Sequence, residues 1–445
     1  MFVWIPRYSY KIPNTESGYH RANTGTTGGT YCLVDIKFLQ GTSSSGTVEY
    51  NEETTNTYTQ FPDGYVVHPA FDLRDEDDNI VKKLTGIWVA KFEASSSTTT
   101  TALDSNSGSS YGRTSNTDNV TIRPNVTSWR NGTVTQFYNA CVAMTSNNNN
   151  FHGLSASADS HLMKDTEWGV VAYLTQSIYG NPQIDDDTSG VWNNSYQYGD
   201  GFYVSSSIYG NYYSQGTTRT GIVGETRDQS ASDHAQNLKE VNANNTTAVT
   251  QNQVNGTITI QYKTYNQGDT FGNPNPTGDE YTRTFYEYWT EQGQKGSTTR
   301  NIYGIYDMAG GAWEYMATFL NVPVPDSGRT TAEDQVYNFN NIPTYHREIY
   351  AYSGTAGDAG RQANYEANKD RYGNAVWETS SLGNASNYSW NNDNFNFVYS
   401  TYPYVVRGGG YTNTINAGLF NFINLSGGPS RYYTFRPVLW ATKVE

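Results

Sequence analysis

Charge is the scarcest ingredient of this chain. Asp, Glu, Lys and Arg make up only 16% of its 445 residues, and the basic ones are outnumbered 28 to 42, for a formal net charge of −14. With no Lys/Arg cluster to displace phosphate counterions, nucleic acid is excluded as a main partner. The same balance disfavours anionic membranes. No apolar run approaches the ~18 residues of a membrane span, so no membrane insertion is expected. Two cysteines, Cys32 and Cys141, cannot make a disulfide framework, and they read as buried thiols in preference to one bridge. No repeat of fixed period is visible, which argues against a solenoid or propeller.

What fills the space is Tyr, with 38 positions, beside Gly, Asn, Ser and Thr. Such a surface is solubilised by hydrogen bonding more than by charge, a composition common in secreted and virion proteins. Met1–Pro6 lacks the charged and long apolar regions of a signal peptide. It reads as an interior strand, as if the chain began within a longer product.

Strand-like runs rich in Val, Ile and aromatics span 2–5, 31–39, 65–67 and 87–92. The acidic stretch Asp72, Asp75, Glu76, Asp77 and Asp78 has neither the glycine nor the closing Glu of an EF-hand loop and reads as a solvated turn. Residues 95–115 form a Ser/Thr/Gly tract expected to be a long exposed loop. Helical spacing of Val134, Phe137, Tyr138, Cys141 and Met144 predicts a first helix with Asn131 as its cap. A second is predicted with Asp165 as cap, Trp168, Val171, Ala172, Thr175 and Ile178 on one face, and Gly180 as the stop. Alternation over 256–262 predicts hairpins within a long insertion near 181–300, and the 95–120 region is a second insertion.

The run Gly304-Ile305-Tyr306-Asp307-Met308-Ala309-Gly310-Gly311-Ala312-Trp313-Glu314-Tyr315 resembles the G-[VL]-Y-D-M-x-G-N-[VA]-W-E-W pattern of the formylglycine-generating-enzyme/sulfatase-modifying family. Gly311 stands where that pattern has Asn, and a position with positive φ accepts either. Further matches occur in the family's order: Ile87–Glu93, Val126–Trp129, Leu162–Ala172 with Glu167-Trp168, Arg407-Gly408-Gly409, and Phe435-Arg436. The resemblance implies one α+β domain over 1–445 with a C-type lectin-like fold, loop-rich, with two main helices and short antiparallel sheets. Trp129, Trp168, Trp313 and Phe435 are then core aromatics.

The enzymatic branches of that family fit poorly. Two copper-binding cysteines follow Arg-Gly-Gly in the oxidase branch, and the aligned positions here are Asn413 and Gly418, which supply no thiolate. His20, His68, His152, His161, His234 and His346 show no tight H-x3-H spacing and read as scattered surface residues. No G-x-S-x-G elbow is present, and no carboxylate pair is singled out. A non-enzyme is expected, with no cofactor required. Family analogy leaves room for a structural Ca²⁺ held by Asn, Asp and loop carbonyls.

The segment 407–440 is more similar to variable proteins of diversity-generating retroelements, which include phage tropism determinants and bacterial surface lectin-like proteins. Arg407-Gly408-Gly409, Ala417-Gly418-Leu419-Phe420, Phe422 and Phe435-Arg436-Pro437-Val438-Leu439 fall in register with their closing motif. Tyr411 and Thr434 depart from it, where Trp and Gly are usual. Residues between the motifs suit mutation of Asn codons. Tyr411, Thr412, Asn413, Asn421, Ile423, Asn424, Tyr432 and Tyr433 are therefore the expected ligand-binding set, because such rings and small polar groups make adaptable contact surfaces. Alternation predicts Phe420 and Phe422 on one strand face, with Leu419, Asn421 and Ile423 on the other. The expected protein is an extracellular receptor-binding component of a phage or prophage tail tip or fibre, recognising a host surface protein or glycan. Other tail proteins or a homo-oligomer are its further partners. A bacterial surface adhesin of the same fold is the alternative, and a degenerate enzyme the third.

Overall fold

The computed structural model describes residues 1–12, 30–31, 34–43, 46–50, 54–58, 65–75, 77–97, 119–145, 152–155, 157–177, 179–180, 192–193, 219–224, 238–240, 249–264, 280–294, 296–323, 342–380, 384–390, 393–410, 418–430, 432–442 and 444. The architecture is mixed α+β, mostly strands and loops with few helices. The framework strands, in chain order, are β1 (Phe2–Pro6), β2 (Gly86–Ala90), β3 (Asp159–Leu162), β4 (Trp313–Leu320), β5 (Glu348–Tyr350), β6 (Ser386–Tyr388), β7 (Asn394–Asn396), β8 (Tyr404–Gly408), β9 (Gly418–Leu425), β10 (Tyr433–Phe435) and β11 (Pro437–Trp440). The two longest helices among the described residues accompany them, α1 (Val134–Val142) and α2 (Asp165–Thr175).

A four-stranded antiparallel sheet has the order β1-β2-β11-β3. A seven-stranded mixed sheet has the order β5-β4-β8-β9-β7-β6, with β10 also paired to β4. The two faces of this larger sheet carry different cores. Met316, Val405, Phe420 and Phe422 belong to one, with Trp168, Trp390 and Phe395. Tyr315, Ala317, Tyr404, Val406 and Phe435 belong to the other, with Trp129 and Phe137 of α1.

Both helices form where expected, with different caps. Thr133 begins α1, its Oγ1 accepting from Gln136 N at 3.2 Å while Gln136 Oε1 accepts from Thr133 N at 2.8 Å. This reciprocal T-x-x-Q box satisfies two donors at once, and Asn131 instead takes a left-handed turn at φ 63°. The predicted stripe Val134, Phe137, Tyr138, Cys141 and Met144 is buried. In α2, Lys164 is the cap residue and its N–H is satisfied by Glu167 at 2.9 Å. Asp165 is the first helical residue, its carboxylate turned to Tyr350 and Arg407. This helix is buried all round, including Val170 and Tyr173, and Gly169 meets Gly373 so closely that a Cβ would lie 1.9 Å from its carbonyl oxygen.

The acidic stretch is a hairpin turn, with Asp75 Oδ1 accepting from Asp77 N and Asn79 N at 3.0 and 2.9 Å. The tract expected to be exposed from 95 onward starts inside the protein. Ser95 and Ser96 are buried and pair with Thr121 and Val120, because Ser95 Oγ finds partners on Thr121; residues 98–118 lie outside the described set. In the 181–300 region, Thr257–Thr264 is the central strand of a five-stranded antiparallel sheet. Cys141 is a free buried thiol; Cys32, His20, His234 and Ile178 lie outside the described residues.

Candidate functional site

The two motifs that close the chain are load points of the core. Arg436 is fully buried and grips Glu314 through Nη2–Oε1 at 2.6 Å and Nε–Oε2 at 2.9 Å, while donating to Ala90 O and Tyr306 O. Arg407, also fully buried, donates to Ala375 O at 3.2 Å and stands 3.6 Å from Asp165 Oδ1. Gly311 has φ 70° and Gly310 φ 82°, so the pattern position where Gly replaces Asn does require the left-handed region. Asp307, at φ 64°, turns its carboxylate inward to accept from Gly221 N.

These anchors set the register of the sheet. Phe435 of β10 lies beside Tyr315 of β4, Tyr315 across from Val406, and Val406 across from Ile423. One row further along, Tyr433 lies beside Trp313; in the other direction Phe319, Tyr404 and Leu425 are in line. Alternation puts all of these on the same face. Phe435, Tyr315 and Val406 are sealed by α1, but Trp313, Ile423, Leu425, Tyr432 and Tyr433 remain half-buried. Tyr433 stacks edge-on against Tyr315 at 5.2 Å, and its hydroxyl is pushed up to about 12 by burial and then by Tyr432 and Tyr402 nearby. Tyr402 is exposed at 39%. The face is therefore aromatic, partly open and held on rigid strands.

The expected binding set divides. Ile423 and Tyr433 belong to this face, and Tyr432, half-buried, immediately precedes its last strand. Asn421 does not act as an exposed contact: it is 0% exposed. Leu419 packs in the same core as Phe420 and Phe422 rather than with Ile423, as the register shifts between Arg407 and Gly408, and β9 is covered on both sides, so Leu419, Phe420, Asn421 and Phe422 are all interior. Asn424 is likewise buried, on the opposite face, where its Nδ2 donates to Phe397 O at 2.6 Å. Tyr411, Thr412 and Asn413 lie outside the described residues. Trp313, Leu425 and Tyr402 were missed by sequence reasoning. Trp313 had been read as core, and its motif gives no sign that α1 stops short of it.

At the other end of β4 a polar cleft of about 840 Å³ is lined by Lys164, Asn321, Tyr345, Glu348, Arg371 and Tyr372, among others. Its walls are tied by hydrogen bonds. Lys164 Nζ donates to Tyr345 O at 2.9 Å, Arg371 Nε to Asn368 Oδ1 at 3.2 Å, and Thr166 N to Glu348 Oε1 at 3.1 Å. Burial raises the Glu348 carboxyl, with Lys164 and Thr166 opposing. Such a mixture of charges, amides and phenols suits a polar ligand. It comes from segments far apart in sequence, so no local pattern announces it.

The histidines depart most from expectation. His68, His161 and His346 are interior rather than scattered over the surface. Asp159 and His161 alternate on β3 and so share a face, and the turn Thr344–His346 delivers the second imidazole. His161 Nδ1 is 2.8 Å from Asp159 Oδ1, and His346 Nε2 is 2.8 Å from Asp159 Oδ2. The rings stack at 4.7 Å. The far nitrogens are also engaged, His161 Nε2 with Glu167 at 2.9 Å and His346 Nδ1 with the Tyr138 hydroxyl at 3.0 Å. Although burial opposes charge on His161, Glu167 and Asp159 raise it to about 8. Among the described residues, this is the only grouping of His, Cys, Asp and Glu close enough to share an ion.

No family model matches the chain, and no curated protein matches it. The family resemblance stands on the motifs themselves.

Proposed function

We propose that this chain is a non-enzymatic receptor-binding protein with a C-type lectin-like fold of the formylglycine-generating-enzyme type. It works extracellularly, at a phage or prophage tail tip or fibre, and recognises a host surface protein or glycan through the sheet face closed by β9 and β10. One observation carries this reading. Trp313, Ile423, Leu425 and Tyr433 form a half-buried apolar and aromatic face on strands that the buried Arg407 and Arg436 hold fixed. Apolar patches of this kind with polar surroundings mark interaction sites, and aromatic anchors dominate their energetics. Rigid strands under the contact residues reduce the ordering cost of binding. The motif departure at the former copper positions, Asn413 and Gly418, supports a binding rather than an oxidase role.

The test is attachment of the fluorescently tagged full chain to a panel of bacterial strains. Ile423→Ala, Tyr432→Ala and Tyr433→Ala combined should abolish attachment to whichever strains the wild type labels, with each tyrosine worth about 1–3 kcal/mol. Unchanged attachment by a folded triple variant overturns the assignment of this face.

A further inference from the structure

We propose that Asp159, His161 and His346 form a binding site for a divalent transition-metal ion of the zinc type, beneath the wall of the polar cleft. Two imidazoles and one carboxylate are a donor set that Zn²⁺ takes in three-ligand sites, with a water completing the tetrahedron. Hard oxygen-loving ions such as Ca²⁺ do not select imidazole. The three donor atoms lie within 4.8 Å of one another. His161 Nδ1 and His346 Nε2 both point at Asp159 Oδ1, from 2.8 and 2.9 Å. Ligand atoms around tetrahedral Zn²⁺, at bonds of roughly 2.0–2.1 Å, stand about 3.3 Å apart. The two nitrogen–oxygen edges are therefore about half an ångström shorter than such a site needs, and lengthening them makes room for the ion where hydrogen-bonded protons now sit.

The surroundings are those a metal-bound histidine needs. Such an imidazole donates its other N–H to a fixed acceptor, which sets the tautomer and orients the ring. His161 Nε2 has Glu167 Oε1 at 2.9 Å, and Glu167 is itself held by Trp440 Nε1 at 3.2 Å and the Lys164 amide at 2.9 Å. His346 Nδ1 has the Tyr138 hydroxyl at 3.0 Å. The two carboxylates, Asp159 and Glu167, balance the charge of the ion, so its burial leaves no net charge among these groups. The polar cleft lies close by. Tyr345 and Lys164 line the cleft, and the Tyr345 ring lies 4.8 Å from that of His346. Tyr345 thus joins the cluster to the cleft, the source of a fourth, water ligand.

The experiment uses the full chain, stripped with a chelator and titrated with ZnCl2 by calorimetry, with bound metal counted by elemental analysis. One equivalent should bind, and the thermal midpoint should rise with added Zn²⁺. His346→Gln should weaken binding at least tenfold, and the pair His161→Gln/His346→Gln should abolish it. No uptake by the wild type, or equal uptake by the paired variant, overturns the proposal. Should a variant fail to fold, Co²⁺ added to the wild type decides the matter: visible absorption typical of tetrahedral nitrogen and oxygen coordination supports the site, and its absence overturns it.

Discussion

Replacing Arg436 by Met tests how the closing motif holds the fold. The guanidinium is the cation facing three buried carboxylates, Glu93, Asp307 and Glu314, and it also donates to two carbonyls. Removing one partner of a buried ion pair costs about 3–5 kcal/mol. Two carbonyls deprived of donors add roughly 1–3 kcal/mol each. A loss of about 5–11 kcal/mol rivals the whole stability of many proteins. Protonation of Glu314 limits the damage, and this makes the prediction specific. Starting from the ordinary Glu value of 4.5, protonation costs about 1.4 kcal/mol at about pH 5.5 and about 4.8 kcal/mol at about pH 8. The Arg436→Met penalty, read from urea midpoints against wild type, should therefore be smaller at the lower pH by up to about 3 kcal/mol. Adding Glu314→Gln should restore much of the loss at the higher pH. An equal penalty at both pH values, or a double variant no better than the single one, would refute the reasoning.

The wild type should itself lose stability as pH rises. Burial raises Asp307 and Asp165 to about 7 from 3.8, so the native state holds protons that the unfolded chain releases, and urea midpoints should fall from about pH 4 to about pH 7 and then level off. Phe435→Ala should cost about 3–5 kcal/mol by chemical denaturation, because the ring is fully buried and stacks on Phe137 at 4.5 Å. Trp313→Ala should cost less, about 1–2 kcal/mol, since that ring is half-buried, while reducing attachment to cells along with Tyr433→Ala. Gly408→Ala should lower the thermal midpoint: φ is 82° and its Cβ would stand 3.2 Å from both Met308 O and Trp168 Cη2, a strain of about 1–2 kcal/mol.

Periodicity read from the sequence located much of the framework. The 2–5 and 87–92 runs correspond to β1 and β2, and the two apolar stripes correspond to α1 and α2. Local chemistry decided their ends, as when Gln136 made Thr133 rather than Asn131 the cap. The binding face was only half legible. Alternation correctly separated Phe422 from Ile423, but it cannot say which strand faces become covered, and that put Asn421 wrongly in solvent. The Asp159–His161–His346 cluster joins positions 187 residues apart. Motif spacing detects ligands supplied by one helix or loop, whereas here a strand and a distant turn share the work.

The position of β11 shapes how the protein must come off the ribosome. Val438 and Leu439 pair with Val89 and Trp88 on one side, and with His161 and Ser160 on the other. A chain that has emerged only as far as residue 430 thus holds β2 and β3 with a strand-wide slot between them. Bare N–H and C=O groups line that slot, and such edges recruit foreign strands. Contacts of this sequence separation also close slowly. Vectorial synthesis leaves the sheet incomplete until β11 slides in, so premature stops just before Pro437 should yield insoluble protein.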